Sequence, residues 1–322
     1  MLRIVTYHRV APLNDRELLN PRMISATPEV FQQHMRFLSQ KYRVVSMENV
    51  LAAIDKKAIL PKRAVLITFD DAYYDFAEYA WPVLKKLKLP ATVFVPTGFP
   101  DHPERAFWWD RLYQAFAQTS LSSLETSPIG ALPLRPAAVQ IDSLKRLQNH
   151  IKTLAHEQAM ALVDEVCAQL GVEPVVQKSV LSWDELRQLA KEGVALGAHT
   201  RSHPIMTRLS KDEIRAEIVA SRGDLASEVG DSLPIFCYPS GGHSDGVVEI
   251  LKQEKCTLAV TTRDSHKNLQ HADPFRLRRT NITRKSTLPV FRLRLTRWMT
   301  AVDGWRHRND HRVTAVNANE GQ

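Results

Sequence analysis

The chain has 322 residues, 44% hydrophobic and 24% charged, the composition of an ordinary globular protein with length for one large domain or two small ones. Its three cysteines, Cys167, Cys237 and Cys256, are too few and wrongly spaced for a disulfide framework or a paired-cysteine metal site. The net charge is +8, but the excess gathers between Arg276 and Arg312 without a recognisable nucleic-acid-binding motif, which argues against nucleic-acid binding and reads first as a solvated basic face.

No apolar run approaches the roughly 18 residues of a membrane span, and MLRIVTYHRV lacks the apolar core of a signal peptide, so a cytoplasmic location is expected. Leu2 to Tyr7 reads as a first strand, ending on His8. After a polar loop, Thr27 to Tyr42 predicts a helix: Thr27 can cap it, Pro28 suits its first turn, and Phe31, Met35 and Leu38 recur at helical spacing. A short strand at Arg43 to Ser46 and a short helix at Met47 to Ile54 follow.

The central stretch is AVLITFDD, Ala64 to Asp71: an apolar strand of the parallel, fully buried kind, stopping on two carboxylates. Tyr73 to Lys88 then predicts a helix and Ala91 to Pro96 another strand, a β-α-β rhythm that specifies an α/β fold with parallel strands. Regularity fails over about residues 101–180, which read as a mostly helical insertion. It begins with the aromatics Phe107, Trp108, Trp109 and Tyr113, which either stack on a ligand or form the insertion's own core, and its second half, Ser143 to Gly171, reads as helix. The rhythm resumes with a helix at Trp183 to Lys191, a strand at Val194 to Ala198, a helix at Lys211 to Val229, a strand at Ile235 to Tyr238, a helix at Gly246 to Glu254 and a strand at Leu258 to Thr261.

In parallel α/β folds, chemistry collects at the carboxyl ends of strands. Asp70 and Asp71 end one such strand; as neighbours on extended chain they face opposite ways, which suits a metal-bound carboxylate beside a free base better than a glycosidase pair. Capping of the next helix is the alternative reading. A second strand ends in GAHTRSHP, where His199 and His203 can converge on one ion; Pro204 favours a turn over a helix there. Two imidazoles and one carboxylate leave coordination positions open, as a catalytic metal site requires.

TFDDA at 68–72, HTRSH at 199–203 and FCYPSGG at 236–242 resemble, in this order, the polysaccharide deacetylases of carbohydrate esterase family 4, the nodulation-type chitooligosaccharide deacetylase homology domain. The resemblance covers roughly Leu2 to Ile282 and implies a distorted (β/α)7-type barrel that removes N-acetyl groups from sugars with a divalent metal, usually Zn²⁺. It places Asp71, His199 and His203 as metal ligands, Asp70 as general base and the backbone N–H of Tyr238 as oxyanion donor. Three departures stand out. Ala72 replaces the usual glycine, the arginine before the tyrosine-proline motif is missing, and no late Leu-x-His motif supplies an acid; His266 and His271 follow no apolar strand. Tyr7-His8 resembles a variant with an acid on the first strand, so His8 becomes the expected proton donor to the leaving amine. Arg279, in rivalry with Arg278, is expected to orient Asp70 and keep it ionised.

Residues 1–285 are thus expected to form the deacetylase-like barrel, 286–308 a basic amphipathic segment and 309–322 a disordered tail. Phe291, Leu295, Trp298, Val302 and Trp305 share a helical face beside Arg292, Arg294 and Arg297, which either packs on the domain or lets 291–305 touch an anionic membrane. The expected substrate is a glycan or a lipid-linked amino sugar of surface-polysaccharide metabolism. An amidohydrolase acting on a non-sugar amide and a degenerate, non-catalytic glycan binder are the rivals.

Overall fold

The computed structural model describes residues 2–13, 19–126, 129–173, 175–230, 232–264, 268 and 273–296. Eight strands form one parallel sheet: β1 (Leu2–Tyr7), β2 (Arg43–Val44), β3 (Ala64–Phe69), β4 (Thr92–Val95), β5 (Ala195–Ala198), β6 (Ile235–Cys237), β7 (Leu258–Val260) and β8 (Thr280–Asn281). Their order is β7-β6-β5-β4-β3-β1-β8, with β2 pairing β3 off this path. The segment leading into β8 reaches the opposite edge, since Leu277 N–H bonds the Ala259 carbonyl at 3.0 Å and Thr261 N–H bonds the Leu277 carbonyl at 2.8 Å. The curled sheet thereby comes round on itself, giving the expected distorted barrel.

Period-two alternation sorts the side chains between two cores. Ile4, Leu66, Phe94, Ile235, Cys237, Leu258, Val260 and Leu277 pack into the bore, whereas Val5, Ile67, Val93, Leu196, Phe236 and Ala259 pack under the helices. Gly197 lies on the bore side because no more room exists: a Cβ there would meet Ile235 and Phe94 at 2.7–2.8 Å.

Most predicted elements appear within a residue or two of their expected ends, including the Thr27-capped helix Pro28–Lys41 and the Ser182-capped helix Trp183–Lys191. The expected helix at Tyr73 to Lys88 is instead a π-helical turn, Phe76–Ala80, running into a short helix, Trp81–Lys86. Pro82 has no N–H to close an α-turn onto Glu78, so the backbone widens there. Within the insertion, helices Trp108–Gln118, Ala137–Ile151 and His156–Gln169 enclose a core of their own around Leu112, Phe116, Leu147, Val163 and Val166. The insertion also holds an unpredicted antiparallel hairpin, Ser123–Thr126 with Gly130–Pro133, whose strands each turn a leucine inward, Leu124 and Leu132.

Of the basic C-terminal segment, the helix Leu288–Arg294 packs on the barrel: Phe291 stacks on His34 at 3.9 Å, and Phe291 and Leu295 are buried. Arg297, Trp298, Val302, Trp305 and 309–322 lie outside the described residues, as do His266 and His271. No helix among the described residues is long and apolar enough to cross a membrane.

Candidate active site

The site grows out of strand register. β1 and β3 pair with Ile4 beside Leu66, Thr6 beside Thr68 and Tyr7 beside Phe69. One further step along the same pleat sets His8 beside Asp70, both on the bore side at the carboxyl end of the sheet. Tyr7 faces the other way, its hydroxyl 3.0 Å from His34 Nδ1 under the flanking helix.

Beyond Phe69 the chain leaves extended geometry. Asp71 and Ala72 take left-handed φ of 69° and 48°, and so do Thr200 and His203, at 63° and 61°. Such backbone costs non-glycine residues about 1–2 kcal/mol each and collects at functional sites. Here the turn brings the neighbouring carboxylates onto one pocket of about 310 Å³, instead of opposite faces, with His8, His199, His203, Trp108, Trp109 and Ser240 also lining it. Ala72 is 1% exposed at the position where the family usually carries glycine.

Asp71 Oδ1 is 3.4 Å from His199 Nε2 and 3.2 Å from His203 Nε2. All three side chains are buried, and Asp71 Oδ1 has no hydrogen-bond partner. His199 Nδ1 lies 2.8 Å from the Cys237 carbonyl, which can only accept; Nδ1 therefore carries a proton, and Nε2 is the ring nitrogen that faces Asp71. A buried, unsatisfied carboxylate oxygen facing two imidazole nitrogens is a donor set that fits a divalent cation. Burial pushes the Asp71 carboxyl up, but the close approach of the His199 and His203 rings outweighs it and holds the group far below the usual carboxylate range.

Asp70 is held differently. Arg279 Nη1 and Nη2 donate to its two carboxylate oxygens at 2.7 and 2.6 Å, a bidentate pair at the top of the bore. Arg279 is itself fixed by Nε to the Thr261 carbonyl at 2.9 Å and by Nη1 to the hydroxyls of Thr6 and Thr68 at 3.1 and 3.3 Å. Burial raises the Asp70 carboxyl, yet the guanidinium's charge and hydrogen bonds bring it below its ordinary value, so it is ionised at neutral pH. Arg278 is exposed, so of the two rivals it is Arg279 that meets Asp70. Asp70, His199 and Cys237 also cluster, but that carboxylate is taken by Arg279 and burial raises the Cys237 thiol, leaving it protonated.

The expected role of Tyr238 does not fit its surroundings. Its N–H donates to the Val260 carbonyl at 3.2 Å, its hydroxyl donates to the Phe275 carbonyl at 2.9 Å, and its ring is buried away from the pocket. Pleated backbone commits that N–H to the sheet. Ser240, two residues on, has left the ladder at φ 53° and lines the pocket. The sequence signal was Pro239 followed by Ser240-Gly241-Gly242, a turn rather than a strand.

The insertion contributes as well. Phe107 and Trp109 are core, packed with Tyr73 and Phe99, and Trp109 meets the His203 ring edge-on at 5.0 Å. Trp108 and Tyr113 are half-buried, and Trp108 lines the pocket. Trp109 Nε1 donates to Tyr73 Oη at 2.8 Å, and Tyr73 donates to Asp110 at 2.9 Å. Asp110 also accepts from Asn20 N–H at 2.8 Å; nothing in the sequence marked this buried carboxylate.

Comparison with known proteins agrees with this architecture. The sequence profile described as "Polysaccharide deacetylase" matches residues 57–259. A stretch of 106 residues is 33% identical to "Poly-beta-1,6-N-acetyl-D-glucosamine N-deacetylase" of Staphylococcus aureus (strain MSSA476), spanning 29% of this chain and 35% of that protein. Another of 95 residues is 30% identical to "Putative polysaccharide deacetylase YxkH" of Bacillus subtilis, spanning 29% and 31%. The chain thus matches about a third of the length of these curated relatives. Among solved structures, the Streptococcus pyogenes deacetylase PplD, in complex with acetate, superposes with a TM-score of 0.61 at 19% identity over 92% of this chain and 98% of its own. IcaB from Ammonifex degensii does so at 0.59 and 20% over 91% and 96%; both likenesses establish the fold. With the profile match spanning β3 to β7 and every motif on a strand end, the chain belongs to the polysaccharide deacetylase family.

Proposed function

We propose that this protein is a divalent-metal-dependent N-deacetylase of an acetylated amino sugar in surface-polysaccharide metabolism. The observation that carries the reading is the pairing of two differently held carboxylates in one pocket: Asp71 facing His199 and His203, Asp70 clamped by Arg279. The names of the relatives, which act on N-acetylglucosamine polymer or are described as polysaccharide deacetylases, support the substrate class.

Asp71, His199 and His203 would hold the ion, Zn²⁺ by the nitrogen-rich donor set. Bound there, it supplies Lewis acidity to the acetyl carbonyl and to water. Asp70, ionised and immobilised, accepts a proton from the attacking water. The Ser240 N–H faces the developing oxyanion. His8, half-buried beside Asp70, donates the proton that lets the amine leave.

Acetate release from N-acetylated oligosaccharides, by chelated protein with Zn²⁺ restored, tests this. Activity should return with the metal and fall at least 1,000-fold in Asp70→Asn while Zn²⁺ still binds. Normal turnover by Asp70→Asn would remove the assigned base.

A further inference from the structure

Beside the catalytic pocket lies a second, more apolar one of about 420 Å³, between the insertion and the barrel rim. Tyr113, Phe116, Ala137, Ile141 and Leu144 form its walls, and Ile141 is 52% exposed although it faces this space. The two cavities are adjacent, since Asn20 and Arg22 line both. Arg22 stands at the junction and Arg284 on the rim; both are exposed, and neither has a carboxylate partner among the described residues. On the catalytic side Lys152 adds another cation. A polymer of neutral sugars has no use for an apolar trough entered between guanidinium groups that have no carboxylate partner among the described residues. An amphiphile with a sugar head, an anionic link and a hydrocarbon tail matches all three zones in order.

We infer that the substrate is a lipid-linked amino sugar: the acetamido sugar occupies the catalytic pocket, a phosphate meets Arg22 and Arg284, and the hydrocarbon tail fills the apolar pocket. This rests on the deacetylase reading for the sugar end only.

Calorimetric titration of the full chain with ethyl, butyl, hexyl and octyl phosphate, each below its micellar concentration, tests the tail and the phosphate without turnover. Burial of each methylene should tighten binding by about fourfold until the pocket fills. Inorganic phosphate should bind far more weakly than octyl phosphate. Arg284→Gln should lose about tenfold for every member, whereas Ile141→Arg, at an exposed position the fold tolerates, should flatten the dependence on chain length. Affinity independent of chain length, or inorganic phosphate binding as tightly as octyl phosphate, overturns the inference. So does binding of neutral N-acetylated oligosaccharides that is abolished by Ile141→Arg, which would make the pocket a glycan subsite. Because no acetate is measured, failure here leaves the deacetylase reading standing, and absence of acetate release from every acetylated sugar leaves these titrations interpretable.

Discussion

At the scale of single residues, two of the buried carboxyls off the metal cradle have opposite environments. Asp70 lies against a guanidinium and stays ionised; Asp110 is buried without a cation hydrogen-bonded to it, and burial pushes it up to about 7 despite its bonds from Asn20 and Tyr73. Between pH 4 and 7 the unfolded chain has released the Asp110 proton while the folded chain still holds it. Folding stability therefore falls as pH rises through that window, by up to about 4 kcal/mol from this one group. Asp110→Asn removes the dependence. In urea unfolding across this range, the difference between variant and wild type should move in the variant's favour with rising pH. A difference that stays flat would mean the carboxyl is ionised throughout.

At the scale of elements, the loop after β6 illustrates how backbone shape serves chemistry. Ser240 and Gly241 both have positive φ, 53° and 71°, and a Cβ on Gly241 would meet Thr262 backbone N at 2.9 Å and come still closer to its side chain. That contact cannot be relieved by a rotamer, because one partner is main chain. Gly241→Ala should displace the Ser240 N–H and lower kcat by about a hundredfold, a cost typical of a displacement near 1 Å. Metal affinity should hold, since Asp71 follows β3 and His199 and His203 follow β5. Loss of metal in this variant would show that the two loops are not independent.

For the whole molecule, Asp71, His199 and His203 come from distant parts of the chain, so an ion bound among them favours the folded state alone. At a thousand times its Kd, Zn²⁺ should stabilise the fold by about 4 kcal/mol. In a chain of this size that raises Tm by several degrees. His203→Ala should abolish the shift in a thermal melt, and an equal shift in that variant would place the ion elsewhere. The same nonlocal logic governs Arg279. It lies 209 residues from Asp70 in sequence, and the two meet because the segment before β8 returns to the edge of β7.

Much of the fold was legible because its signals are local. The apolar runs of β1 and β3, the Thr27 cap and the helical periodicities depend on neighbours a few residues away. Asp70, Asp71, His199 and His203 were legible for the same reason, each ending a strand. What pairs with what was decided only by the tertiary structure. Arg279 over Arg278 follows from which side chain the pleat turns into the bore, and the commitment of the Tyr238 N–H to the Val260 carbonyl follows from sheet pairing. A two-residue strand such as Thr280–Asn281 has no periodicity to read; it exists because Val5 and Thr6 lie beside it. Asp110 looked like any helix carboxylate until the insertion closed over it, because burial is a property of everything that packs around a residue.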